Sequence, residues 1–216
     1  MSQARTTVHL VRHGEVDNPH HVLYERLAGF HLSDRGRAMA RRVADFFNDG
    51  HHGQIDRLVV SPLERAQETA APLAQGLGLA IETDQRLIEA QSHFAGMRID
   101  LPNLIRPRSL RRLFNPLRPS WGEPYEAIAD RMTQAITDLR TANPGRQMIV
   151  VSHQSPIWRA RLKAEGRPVR ILPRGQACSL ASVTSLIYED DQLSAVWYSE
   201  PARDLLPPPP RHQPIL

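Results

Sequence analysis

Residues 7–15 read Thr7-Val8-His9-Leu10-Val11-Arg12-His13-Gly14-Glu15. The run from Thr7 to Val11 has the β-branched, apolar character of a buried strand, and it stops abruptly in Arg12, His13 and a glycine. In an open α/β sheet the carboxyl ends of parallel strands face the ligand crevice, so Arg12 and His13 are expected at its mouth. Gly14 lets the chain turn and lie close to a ligand, where a Cβ would obstruct it.

Further strand patterns lie at Arg57 to Val60, Met148 to Val151, Leu180 to Tyr188 and Gln192 to Tyr198. Helical patterns separate the first four strands. Ala40, Val43, Ala44 and Phe47 recur at i, i+3, i+4 and i+7 behind the N-cap candidate Ser33, with Arg37, Arg41, Arg42 and Asp45 on the wet side and Gly50 as the stop. A second helix is predicted to start with Ser61 as cap and Pro62 in its first turn, burying Ala66, Ala70, Leu73 and Leu77 around the stop signals Gly76 and Gly78. A third carries Ile128, Met132, Ala135, Ile136 and Leu139 on one stripe and stops at Pro144-Gly145; a fourth starts at Ser155-Pro156 and ends near Gly166. This alternation predicts an α/β fold, a three-layer α/β/α sandwich around a mostly parallel sheet, closed by an antiparallel hairpin that turns at Asp190-Asp191. Residues 98–122 fall outside the alternation. They hold Arg98, Arg106, Arg108, Arg111, Arg112 and Arg118 among four prolines, the mark of an inserted lobe over the site. The stretch 205–216, with Pro207 to Pro210, reads as an extended polyproline tail.

One domain over residues 1–216 suits this length, which buries a core without needing a disulfide or structural metal. Cys178, the single cysteine, is expected as a small buried filler, and its isolation points to a reducing cytoplasm. No run approaches the ~20 apolar residues that span a bilayer, so no membrane partner is expected. The net charge is +4, and Lys163 is the only lysine among 27 basic residues. A compositional bias swaps Arg for Lys at solvated positions with little energetic consequence. Arginine also grips planar anions, because a guanidinium donates two parallel hydrogen bonds to a phosphate or carboxylate. Nucleic acid is not an expected partner: within 98–118 only Phe114 interleaves with the cations, which leaves little for base stacking. His20-His21 and His51-His52 lack a following carboxylate or thiol at ligand spacing, so they read as solvated loops and no metal is expected.

Five motifs, taken in order, resemble the histidine phosphatase superfamily, the phosphoglycerate-mutase-like proteins. Arg12-His13-Gly14-Glu15 matches its hallmark strand end. Gly29 with Leu32-Ser33-Asp34-Arg35-Gly36 is similar to the segment opening its first helix, and Ser61 through Ala70 to its Ser-x-x-x-Arg-Ala-x-x-Thr-Ala element. Leu87-Ile88-Glu89 matches the Leu-x-Glu that supplies an acid, and Val151-Ser152-His153 the second histidine. The run from Leu23-Tyr24 to Ser33 resembles an actinobacterial branch.

The resemblance implies that His13 attacks phosphorus to form a phosphohistidine, with Arg12, Arg65 and His153 clamping the phosphoryl oxygens. A neutral imidazole suits the attack, since its ordinary pKa near 6.5 leaves a free nitrogen at pH 7. Glu89 would protonate the leaving oxygen and then deprotonate water, its carboxyl kept protonated by a neighbouring phosphate; Glu68 and Glu82 compete for that role. Asn18 and Gln154 are further expected phosphate neighbours, Gln154 standing where the family usually has glycine. Arg111 or Arg112, with Arg106 and Arg108, is expected to bind a second anionic group of the substrate. The Glu-Arg-His-Tyr-Gly element of the cofactor-dependent mutases is missing after Glu89, where Ala90-Gln91-Ser92-His93-Phe94-Ala95-Gly96 stands, and the family's Gly-Glu-Ser appears as Gly122-Glu123-Pro124. The expectation is therefore a metal-independent, cofactor-free phosphomonoester hydrolase acting on a small anionic metabolite. Mutase-type transfer and a non-catalytic phosphoryl-binding module are the alternatives.

Overall fold

The strand Arg5–Arg12 (β1) lies inside the sheet, and its alternation sorts the whole core. The computed structural model describes residues 4–98, 122–170 and 178–206. Val11 points to one face, with Ile149, Val151, Leu58 and Val60, beneath the helices Asp34–Asn48 (α1) and Glu64–Leu77 (α2). Val8 and Leu10 point to the other, with Met148 and Val150, beneath Tyr125–Ala142 (α3) and Gln154–Ala164 (α4). The period-two alternation of a strand thus builds two separate apolar layers, one per pair of helices.

The remaining strands are Arg57–Val60 (β2), Ile81–Thr83 (β3), Gln147–Ser152 (β4), Val183–Glu189 (β5) and Gln192–Ser199 (β6), in the order β3-β2-β4-β1-β5-β6. The β3, β2, β4 and β1 neighbours pair in parallel, while β5 runs antiparallel to β1 and closes on β6. The predicted three-layer sandwich with a closing hairpin is present, with Asp190 at φ 51° in the turn. No described helix is long and apolar enough to cross a membrane.

Several boundaries differ from the sequence reading. Ser61-Pro62 does not open α2, which starts at Glu64 behind Leu63, a residue without a capping side chain. The Ser61 hydroxyl is committed elsewhere, 2.7 Å from His153 Nε2. Gly76 lies inside α2 and only Gly78, in the left-handed region, ends it. α4 begins one residue earlier than predicted, with His153 as N-cap. β5 starts at Val183 and not at Leu180, because Ala181 turns through φ 54°. The edge strand β3 is three residues long and half-exposed, too short to show a periodicity. Most of the 98–122 segment and the tail from Pro207 lie outside the described residues.

The start of α1 is tied to the chain leaving β1. Ser33 caps Gly36 N at 3.0 Å as predicted, and its hydroxyl donates to the Glu15 carboxylate at 2.6 Å. The backbones touch here: a Cβ on Gly36 would sit 2.0 Å from Glu15 O, and one on Gly14 would sit 2.6 Å from Gly36 O. Gly36→Ala is expected to lower stability by about 1–3 kcal/mol or more through overpacking, read from urea unfolding at pH 7.

His9 is buried in β1, with Nε2 3.1 Å from Gln147 Oε1 and Nδ1 2.8 Å from Ser185 Oγ. Burial pulls its pKa down to about 4. Between pH 6.5 and about 4 the unfolded chain therefore takes up a proton that the folded chain refuses, so stability falls as pH drops through that window. His9→Gln is expected to remove about 1.4 kcal/mol per pH unit from that slope, measured as the difference between wild-type and variant unfolding at pH 6.5 and 4.5.

Candidate active site

Parallel pairing of β1 with β4 sets Arg12 opposite Ser152, and His13 N continues the ladder to Ser152 O at 3.1 Å. The next residue on each strand is a histidine. His13 and His153 therefore stand side by side, ring centroids 5.1 Å apart, although 140 positions separate them. The adjacent β2 ends in Ser61, whose N–H bonds Val151 O at 2.9 Å and whose hydroxyl meets His153 Nε2. Three neighbouring carboxyl ends thus converge, as strand ends of an open α/β sheet do.

Both imidazoles are buried. His13 Nδ1 lies 2.7 Å from Gly14 O, and since a carbonyl only accepts, Nδ1 carries the hydrogen and Nε2 keeps the lone pair. Burial, then the charges of Arg12 and Arg65, hold the pKa of His13 well below 6.5, so the ring is neutral at pH 7. Burial does the same to His153, reinforced by His13 and the arginines. Ser61 Oγ lies 2.7 Å from His153 Nε2 and accepts a long contact from Leu63 N at 3.5 Å; in the tautomer that carries its hydrogen on Nδ1, His153 accepts the Ser61 hydroxyl at Nε2.

The arginines are fixed through their guanidinium heads. Arg65, the second residue of α2, is fully buried; it donates to Glu25 O and stacks 4.8 Å over the Tyr24 ring. Thr69, one turn on, donates to Arg65 O at 2.7 Å and accepts Gly14 N at 3.1 Å, which locks α2 to the His13 loop. Arg12 NH1 donates to Cys178 O at 2.6 Å, and Cys178 is the buried filler expected of it. Among the described residues, three buried guanidinium nitrogens beside His13, Arg12 Nε, Arg65 Nε and Arg65 NH1, find no acceptor, and His153 Nδ1 finds no partner. A buried unsatisfied donor costs ~1–3 kcal/mol, more when charged, and a strongly accepting anion would relieve that cost here. A tetrahedral oxyanion such as phosphate meets that demand.

Glu89 lines the same cavity, its Oε1 accepting Ala90 N at 2.8 Å. Protein crowds the carboxyl, and burial pushes its pKa above the usual range, against the opposing charges of Arg12, Arg65 and Arg131. Burial is thus one source of the upward shift, beside the neighbouring phosphate that the sequence reading invokes. The competing carboxylates are used elsewhere. Glu82 pairs with Arg57 at the sheet edge, and Glu68 holds Leu32 N at 2.7 Å and His31.

Not every expected site residue reaches the cavity. The Asn18 amide spans its own loop, donating to Val22 O at 2.9 Å and accepting Val22 N at 3.2 Å, and it does not line the cavity. Gln154, the first residue of α4, does line it. Arg106, Arg108, Arg111 and Arg112 lie outside the described residues. The cavity measures about 420 Å³, and Val22, Leu23, Tyr24 and Trp158 give it an apolar wall that the sequence reading did not identify. Leu23-Tyr24 was visible as part of a resemblance, but no spacing tied it to His13. Among the described residues no three His, Cys, Asp or Glu side chains group as metal ligands. His52 is only partly solvated, its ring 4.2 Å from that of Phe46.

The family model of the histidine phosphatase superfamily (branch 1) matches residues 8–201. Among individual relatives, an uncharacterised protein of Mycobacterium tuberculosis, Rv0525, is 50% identical over 199 residues, covering 91% of this chain and 97% of that protein. Phosphoserine phosphatase 1 of Hydrogenobacter thermophilus is 27% identical over 152 residues, covering 68% and 71%. The native structure of mycobacterial glucosyl-3-phosphoglycerate phosphatase Rv2419c superposes with a TM-score of 0.71 at 23% identity, covering 91% of this chain and 98% of the other. A match over nearly the whole chain, on a fold with two histidines at adjacent strand ends, makes this protein a member of branch 1 of the histidine phosphatase superfamily.

Proposed function

We propose that the protein hydrolyses phosphomonoesters of small metabolites in two steps through a phosphohistidine on His13. The observation that carries this reading is the neutral His13, its Nε2 lone pair free, beside three buried guanidinium nitrogens and His153 Nδ1 that lack a partner among the described residues. In the first step Nε2 attacks phosphorus, the bond from phosphorus to the leaving oxygen breaks, and the Glu89 proton passes to that oxygen. In the second, water attacks the phosphohistidine, the phosphorus–nitrogen bond breaks, and the Glu89 carboxylate takes the water proton. Inorganic phosphate leaves, with His13 neutral and Glu89 protonated again. Arg12, Arg65 and His153 donate to the equatorial oxygens throughout. Because these donors are already in place, they stabilise developing charge without reorganisation, usually the largest part of such a rate enhancement. They supply the positive charge that a metal ion supplies in other phosphatases, so the reading includes metal independence.

A hydrolase is favoured over a mutase by the missing mutase element after Glu89. Relatives named as phosphatases of phosphoserine and of glucosyl-3-phosphoglycerate support the same choice and point to phosphorylated metabolites as the substrate class. The cavity volume of about 420 Å³ suits a leaving group of that size, resting on the apolar wall of Tyr24 and Trp158. A cytoplasmic setting belongs to this reading.

His13→Ala is expected to lower kcat for p-nitrophenyl phosphate by about 10³-fold or more, and EDTA to leave the wild type unchanged. Acid-quenched wild type mixed with radiolabelled substrate should carry acid-labile phosphate that His13→Ala lacks. Glu89→Gln should spare p-nitrophenyl phosphate, whose leaving group needs no proton, and slow glycerol 2-phosphate by roughly 10²-fold. Turnover that survives His13→Ala overturns the nucleophile, and phosphate binding without turnover of any ester makes the protein a binding module.

A further inference from the structure

The peptide that carries Glu89 has no strand ladder of its own. It follows a short 3-10 turn, Gln85–Leu87, and side chains from three directions hold its carbonyls. Arg131, on α3, donates to Arg86 O at 2.5 Å and to Glu89 O at 3.3 Å. Arg26, from the loop after β1, donates to Glu89 O at 2.6 Å. Ser152, directly before His153, donates to Leu87 O at 2.7 Å. The two arginines are joined by one carboxylate. Glu123 accepts Arg26 NH2 at 2.6 Å, and Arg131 through Nε at 2.9 Å and NH2 at 3.2 Å. Glu123 is itself pinned, its N–H bonding Gln91 O at 2.8 Å, while a Cβ on the preceding Gly122 would stand 2.5 Å from that same oxygen.

We propose that Glu123 is a positioning residue for Glu89, acting through Arg26 and Arg131, which it orients onto the Glu89 and Arg86 carbonyls. The proposal rests on the reading of Glu89 as proton donor to the leaving group. Arg131, bound bidentately by Glu123, has little freedom left; Arg26 is held at NH2 by Glu123 and at NH1 by Gln91 Oε1, 3.3 Å away, which leaves its Nε facing Glu89 O. Glu123 also offsets their charge. Among the described residues, the charged and titratable groups around Glu89 are Arg12 and His13 at the end of β1, Tyr24, Glu25 and Arg26 in the loop, Arg65 on α2, Arg131 on α3, His153 after β4, Arg159 on α4 and Cys178 before β5. The Glu25 carboxylate is occupied by Ser92, through N and Oγ at 2.6 Å each. Glu123 is therefore the carboxylate that offsets Arg26 and Arg131 together. Without it, both cations favour ionised Glu89, the form unable to donate a proton.

Two variants test this with opposite electrostatic signs. Glu123→Gln removes a negative charge, and Arg131→Gln removes a positive one. Each should slow glycerol 2-phosphate roughly tenfold or more, while p-nitrophenyl phosphate loses about threefold or less, since only the first leaving group depends on acid assistance. The alkaline limb of kcat against pH for glycerol 2-phosphate should move to lower pH in Glu123→Gln, by about half a unit or more, and should not move down in Arg131→Gln. Equal losses on both substrates with an unmoved limb would show a merely structural role and overturn the proposal, as would two variants with wild-type kinetics. If thermal unfolding shows one variant unfolded at the assay temperature, the other decides, because each predicts the same substrate split. A wild type inactive on both substrates, or unaffected by His13→Ala, overturns instead the reading on which the proposal rests.

Discussion

Everything at the site hangs on the parallel hydrogen bonding of β1 to β4. The register that sets Arg12 against Ser152 also delivers His13 and His153 as neighbours. A slip of one residue along either strand would send one imidazole to the opposite face of the sheet, since side chains alternate with period two. The register is held from both faces, because Val8 and Leu10 belong to one apolar layer and Val11 to the other. Packing far from the chemistry thereby specifies the placement of two rings to within a side chain's width.

The second constraint is electrostatic. Folding buries Arg65 entirely and leaves two of its nitrogens, with Arg12 Nε and His153 Nδ1, without partners among the described residues. Such an arrangement lowers stability when the site is empty, and the surrounding core must offset it. The same arrangement keeps His13 neutral. The carboxyl of Glu89 is pushed in the other direction by the same burial. One low-dielectric pocket thus shifts a histidine and a carboxyl in opposite directions, each toward its neutral form, as it does for paired titratable groups in enzymes.

The sequence showed the central strand, the four helices and the closing hairpin because each carries a periodicity or a turn signal over several residues. It misplaced the start of α2 because Ser61-Pro62 has the local form of a cap, and local form cannot reveal that the hydroxyl is taken by a histidine 92 positions away. It overlooked β3, whose three residues are too few for an alternation to register. It placed Asn18 near phosphate, whereas the amide finds partners within its own loop at Val22. The apolar wall of Tyr24 and Trp158 comes from segments without shared spacing, so only their meeting defines it.

The sequence by itself determined the fold class and the chemical types at the site: Arg12-His13-Gly14 at a strand end, Arg65 early in a helix, a second histidine and an acid. These follow from local periodicity and motif order, which the chain carries whether folded or not. Only the tertiary structure decided which nitrogen of His13 keeps its lone pair, which of three carboxylates joins the cavity, and what holds Glu89 in place. The first depends on the folded turn that brings Gly14 O to His13 Nδ1, and the others on contacts between distant segments: Glu82 drawn off by Arg57, and Glu123 joining Arg26 to Arg131. Hydrogen-bond geometry and burial are properties of the packed chain, and no residue type announces them alone.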